Sequence, residues 1–126
     1  MESIQSTVID FLLAFSRLDL NGMMACFEDD ATCYFPVAHH LVMLNGKKEI
    51  RAAYGKLLES IRESGKKSIK MEPEDVKIKH LGDTAIVTFH TRDDVMSRRT
   101  LVLRREEKKW LIQHLHSSNA PLGEPN

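Results

Sequence analysis

Residues Thr84–Ser118 read TAIVTFHTRDDVMSRRTLVLRREEKKWLIQHLHSS. Three runs in this stretch are rich in β-branched, aliphatic and aromatic residues: Thr84–Thr91, Arg98–Arg105 and Trp110–Ser117. Such residues suit a pleated, half-buried surface. Asp93-Asp94 breaks the first pair of runs, and Glu106-Glu107-Lys108-Lys109 breaks the second. Charged clusters belong at solvated hairpin tips. The stretch predicts an antiparallel meander with its last strand in the middle, or at the inner edge, of a sheet.

Upstream, the pattern changes period. Ile4, Val8, Phe11, Leu12, Phe15 and Leu18 recur at helical spacing and predict a first helix over Ser3–Leu18. Asn21 is placed to cap a short second helix over Met23–Phe27. Glu28-Asp29-Asp30 reads as a solvated turn before a short strand, Ala31–Phe35, that stops at Pro36. Asn45 is placed to cap a third helix over Lys47–Ser64, whose buried face carries Ile50, Tyr54, Leu57, Leu58 and Ile61. Val76 and Ile78 alternate with Lys77 and Lys79, as in a strand wet on one side. Residues 119–126 hold two prolines and a glycine and read as an irregular tail of a single domain spanning 1–126.

Lys+Arg and Asp+Glu balance at 18 each over 126 residues. That balance argues against nucleic acid or an anionic membrane as a partner, since both call for a basic excess. No run reaches the roughly 20 apolar residues of a membrane span. The acidic N-terminus is unlike a secretion signal, and Cys26 and Cys33 fit two buried thiols; a cytoplasmic protein is expected. The sequence has neither a GxGxxG nor a phosphate-binding loop, and no cofactor is expected.

The order of elements and several residues resemble the nuclear-transport-factor-2-like (NTF2-like) superfamily. They are Leu18-Asp19-Leu20-Asn21-Gly22, Phe27 to Thr32, Asn45-Gly46-Lys47, and the final strand Lys109–Ser118 with Ala120-Pro121 after it. The ending is most similar to the SnoaL-like and kinase II association-domain branch. The resemblance implies an α+β cone: a curved antiparallel sheet wrapped around the N-terminal helix, with two further helices. It also implies a ligand cavity and a homodimer. Ketosteroid isomerases of this superfamily carry a carboxylate base before the proline and a tyrosine donor on the first helix. The matching positions here are Phe35 and Phe11, and phenylalanine supplies neither base nor donor. Two cavity arginines of the association domain match Leu101 and Ser117, and a third falls near Thr91.

Successive strand residues point to opposite faces. Given Leu101 and Ser117 inward, Leu103, Leu111 and Leu115 join them, with Val87, Phe89 and Thr91 alongside. Phe11, Phe15 and Phe35 complete an apolar lining suited to a small apolar molecule. The same alternation sends Trp110, Ile112, His114, His116 and His90 outward. That face is assigned to self-association, with Trp110, Ile112 and His114 at the interface. A one-residue slip would instead bring the three histidines inside. His90, His114, His116 and the loop residue His39 are the candidate acids or bases of a cofactor-independent isomerase, cyclase or dehydratase. A bare assembly module is the third reading. The three strand histidines also raise a metal site, weakened by the lack of a carboxylate beside them. Arg98-Arg99 and Arg104-Arg105 read as surface or inter-subunit pairs.

Overall fold

The computed structural model describes residues 3–36, 42–93 and 95–121. Among them the chain forms α1 (Ile4–Ser16), α2 (Leu20–Met24), β1 (Phe27–Tyr34), β2 (Leu44–Asn45), α3 (Lys47–Glu63), β3 (Glu74–Leu81), β4 (Thr84–Arg92), β5 (Val95–Glu106) and β6 (Lys109–Pro121). The meander is present in full. β4 pairs with β5 and β5 with β6, all antiparallel, and β6 stands inside a six-stranded sheet of order β2-β1-β6-β5-β4-β3.

The expected cone, a curved antiparallel sheet wrapped around the first helix, is not what forms. The sheet is mixed, because β1 lies parallel to β6, and it is open and not strongly curled. One edge is the two-residue β2; the other is β3, which is exposed along nearly its whole length. Among the described residues neither edge has a partner that would close the sheet. The last strand also outruns its expected end. Asn119, Ala120 and Pro121 continue β6 against Ser97, Met96 and Val95, so the tail is regular as far as Pro121.

α1 begins at Ser3, whose hydroxyl accepts from the Ser6 N–H while the Ser6 hydroxyl accepts from the Ser3 N–H. This reciprocal cap satisfies donors that a helix start leaves open. Ile4, Thr7, Val8, Phe11, Leu12, Ala14 and Phe15 form its buried stripe. The helix stops at Ser16, because Leu18 turns into the left-handed region at φ 58°. α2 is capped by the Asp19 carboxylate, which accepts from the Gly22 N–H, and not by Asn21. α3 starts at Gly46, not on an Asn45 side-chain cap. Gly46 has φ 89°, a conformation that glycine adopts without steric penalty.

Glu28, Asp29 and Asp30 lie inside β1, not in a turn. β1 therefore starts where the sequence predicts the end of a helix. The packed core joins α1, α3 and one face of the sheet, with Phe11, Met23, Ile50, Leu58, Val87, Leu101, Leu103, Ile112 and Leu115 all fully buried.

Candidate functional site

The helix-facing side of the sheet forms rows of paired residues. Val87, Leu101, Leu115 and Cys33 make one row across β4, β5, β6 and β1. Phe89, Arg99 and Ser117 make the next, and Thr91, Ser97 and Asn119 the one after. The lining thus turns from aliphatic to polar along the strands. Ten of the eleven residues assigned to it from sequence are buried: Phe11, Phe15, Phe35, Val87, Phe89, Thr91, Leu101, Leu103, Leu115 and Ser117; Leu111 is only half-buried. Rings from three elements meet over the middle row. Tyr54 of α3 touches Phe15 of α1 at 5.5 Å and Phe35 after β1 at 4.6 Å, centroid to centroid.

Arg99 stands in this layer, with only 9% of its surface exposed. Its guanidinium carbon lies 5.4 Å from the centre of the Phe15 ring. It makes no ion pair among the described residues, and its Nε has no hydrogen-bond partner there. Burial pushes the pKa of Arg99 down, and the neighbouring Tyr54 and Cys33 act against that shift. Burial likewise pushes the Tyr54 phenol up and the Cys33 thiol up to about 12, so neither is ionised near neutrality. Among the described residues, the other buried polar side chains on this side are hydroxyls: Thr7, Thr91, Ser97 and Ser117. The arrangement offers donors to an anion. Among the described residues it offers no carboxylate or imidazole in the same buried layer.

Reading Arg98-Arg99 as a surface pair is therefore wrong for Arg99. The alternation that turns Leu101 and Leu103 inward also turns Arg99 inward, so the signal was present in the pattern. The positions matched to the association-domain arginines hold Leu101 and Ser117, yet Arg99 lies directly across from Ser117.

The opposite face holds the strand histidines. His114 shares a 2.7 Å hydrogen bond with the Thr32 hydroxyl, and burial pushes its pKa down, with His116 adding to the shift. Tyr34 packs on His116 at 5.2 Å. His90 Nε2 lies 3.0 Å from Glu74, whose same oxygen accepts from Arg92 Nε. The histidines thus sit where alternation places them. Trp110 and Ile112 do not. The register shifts between Val102 and Leu103, where Val102 faces His114 but Leu103 faces Ile112, leaving Gln113 as an extra residue. A bulge of this kind reverses parity along the strand. Trp110 and Ile112 consequently turn into the core, at 5% and 0% exposure, and Leu111 turns out. The Trp110 carbonyl accepts from the Thr7 hydroxyl at 2.7 Å, tying α1 to β6. His39 lies outside the described residues. No group of three or more metal-ligating side chains occurs among the described residues.

The model of the SnoaL-like domain matches residues 4–123. The chain belongs to the SnoaL-like domain family. Solved structures agree in fold. An NTF2-like protein of unknown function from Pseudomonas putida superposes with a TM-score of 0.80 at 18% identity, covering 97% of this chain and 94% of that one. A candidate dehydratase of the NTF2-like family from Streptomyces avermitilis gives 0.77 at 19% identity over 93% of each chain. A candidate calcium/calmodulin-dependent protein kinase type II association domain from Thiobacillus denitrificans gives 0.76 at 22% identity, covering 95% and 97%. No curated protein matches the chain. No helix among the described residues is long and apolar enough to cross a membrane.

This SnoaL-like domain also buries an acid on its outer face. Glu28 is 4% exposed, and one of its oxygens accepts from both Arg104 Nε and Arg104 Nη2, at 3.0 and 2.9 Å. Its other oxygen is buried without a partner. Burial raises the Glu28 pKa, and the Arg104 contacts only partly offset it. A carboxyl raised in the folded state binds its proton more readily there than in the unfolded chain. Its contribution to stability grows as pH falls from neutral through the raised pKa toward 4.5, and is lost as pH rises again. Thermal melts between pH 7 and 4.5 test this. Wild type is expected to gain on Glu28→Gln as the pH falls; a constant gap would remove Glu28 as the source.

Proposed function

We propose that this chain binds a small molecule with a mostly apolar body and one anionic group, and acts as a cytoplasmic homodimer. The body packs against Phe15, Phe35 and Tyr54, and the anion meets Arg99. One observation carries the reading: a buried guanidinium with no carboxylate partner among the described residues. Removing such a charge from water is expensive unless an opposite charge joins it. The buried hydroxyls of Thr91, Ser97 and Ser117 support the same end of the layer as the polar one.

The chain is read as a binder and not as an isomerase. Phe11 and Phe35 carry no proton-transfer group, and His90, His114 and His116 stand on the other face of the sheet. The test is calorimetric titration with aromatic carboxylates and with the matching neutral amides. Saturable binding of the acids alone is expected. Equal binding of acids and amides, or of neither, would overturn the reading.

Self-association is assigned to the uncovered sheet face, without Trp110 and Ile112. Ile86, Val102 and Leu111 are half-buried there and Tyr34 is exposed. An uncovered apolar sheet face is a common site for a second subunit. Val102→Asp is expected to convert a dimer to a monomer in sedimentation while the far-ultraviolet spectrum is kept. A wild type that is monomeric at micromolar concentration would remove the dimer.

A further inference from the structure

The outer face carries a second array of donors, next to the self-association patch and independent of the reading above. Thr88, Thr100 and His116 form one cross-strand row. His90, Arg98 and Ser118 form the next. Together with Asp75, Phe89 and Arg99 they line an open hollow of about 320 Å³. Strand spacing sets its floor at roughly 10 Å by 7 Å.

The chemistry of the six is one-sided. Arg98 makes no ion pair among the described residues. It offers a fork of N–H donors in the middle of its row, with three hydroxyls and the His116 ring around it. His90 is different, since its Nε2 faces Glu74. Glu74 itself is occupied by Arg92 and is held below the usual carboxylate range mainly by that hydrogen bond. The carboxylate at the rim is Asp75, on the edge strand β3.

We propose that this hollow binds a phosphate monoester of a small hydroxylated alcohol. The phosphate oxygens take the Arg98 guanidinium and the Thr88, Thr100 and Ser118 hydroxyls. Arginine suits such an oxyanion because its planar fork makes two parallel charge-assisted bonds. Asp75 would repel a bare anion, but it accepts well from a hydroxyl. It therefore selects a ligand whose ester side carries one. Three terminal oxygens match the several donors better than a carboxylate's two.

Glycerol 3-phosphate, inorganic phosphate and glycerol are the probes, titrated into the full chain by calorimetry and by ¹H–¹⁵N spectra. Glycerol 3-phosphate is expected to bind in the millimolar range or tighter, ahead of phosphate, with glycerol silent. The shifts should centre on Thr88, Arg98, Thr100 and Ser118. Arg98 is exposed, so Arg98→Met leaves the core intact. It is expected to weaken binding at least about tenfold, the loss typical of one charged hydrogen-bond partner. Thr100→Val should weaken it less. The response to Arg98→Met separates this site from the one proposed above, whose Arg99 guanidinium stands over the Phe15 ring on the helix side. Sedimentation in the same buffers separates loss of binding from a change of assembly. Absence of saturable shifts, unaltered binding by Arg98→Met, or phosphate binding as tightly as its glycerol ester would each overturn the proposal.

Discussion

Arg99→Met is expected to make the ligand-free protein more stable and to abolish its binding of aromatic carboxylates. The two effects have one origin. Methionine keeps most of the arginine stem and its contact with the Phe15 ring, which lies 5.4 Å from the guanidinium. It deletes a charge that is 9% exposed, makes no ion pair among the described residues, and has a buried Nε without a partner. Replacing buried charges by apolar groups of similar volume commonly stabilises by about 1–4 kcal/mol. In a domain of this length each kcal/mol moves the midpoint of unfolding by a few degrees. The ligand-free variant should melt above wild type, and aromatic carboxylates should raise the melting temperature of wild type alone. Arg99→Lys should fall between, since an ammonium keeps the charge and loses the fork. A Met variant that melts well below wild type would make the guanidinium part of the structural core, and the anion reading would fall with it.

Phe11→Ala should have the largest effect on folding, a loss of about 3–5 kcal/mol in equilibrium denaturation. Phe11 is fully buried and meets Phe15, Phe27 and Tyr54 edge-on, at 6.0, 5.7 and 6.3 Å. It is thus where α1, β1 and α3 meet, and each aromatic pair adds about 0.5–1.5 kcal/mol beyond the area buried. Ile9→Ala is the control. Ile9 lies on the same helix at 53% exposure, so its replacement should stay within about 1 kcal/mol of wild type. Comparable small losses at both positions would mean that α1 does not seal the sheet.

The meander and the buried face were legible because their signals are local. Alternation marks each strand, and charged pairs mark each tip. β1 was hidden by Glu28-Asp29-Asp30, which reads as a turn. Glu28 is tolerated in a strand because Arg104, 76 positions away, meets it across the sheet. No local window holds that partner. The face assigned to Trp110 and Ile112 failed for a similar reason. Alternation counts residues, and the bulge at Gln113 inserts one that only the pairing with β5 reveals. The same bulge lies before His114 and His116, so their outward assignment stands. Arg99 was missed although its parity was plain, because a double arginine was read by charge and not by position. The cone was carried over from the resemblance, and the parallel β1–β6 pair with two open edges departs from it.

The parallel seam between β1 and β6 also sets the order in which the chain can become a protein. Its partners Thr32 and His114 are 82 residues apart, and the Thr7–Trp110 bond beside it spans 103. Contacts so distant in sequence slow folding, because a long loop must close before they form. On the ribosome, α1, α2 and α3 emerge with their apolar stripes and no sheet centre to cover them. β6 is the last strand made, and it alone bridges β1 to the meander. Folding of this domain therefore waits until β6 has been made, and a chain cut before Lys109 is left as two half-sheets with open edges. Until then its apolar stripes and unpaired edges are open to the contacts that chaperones guard against.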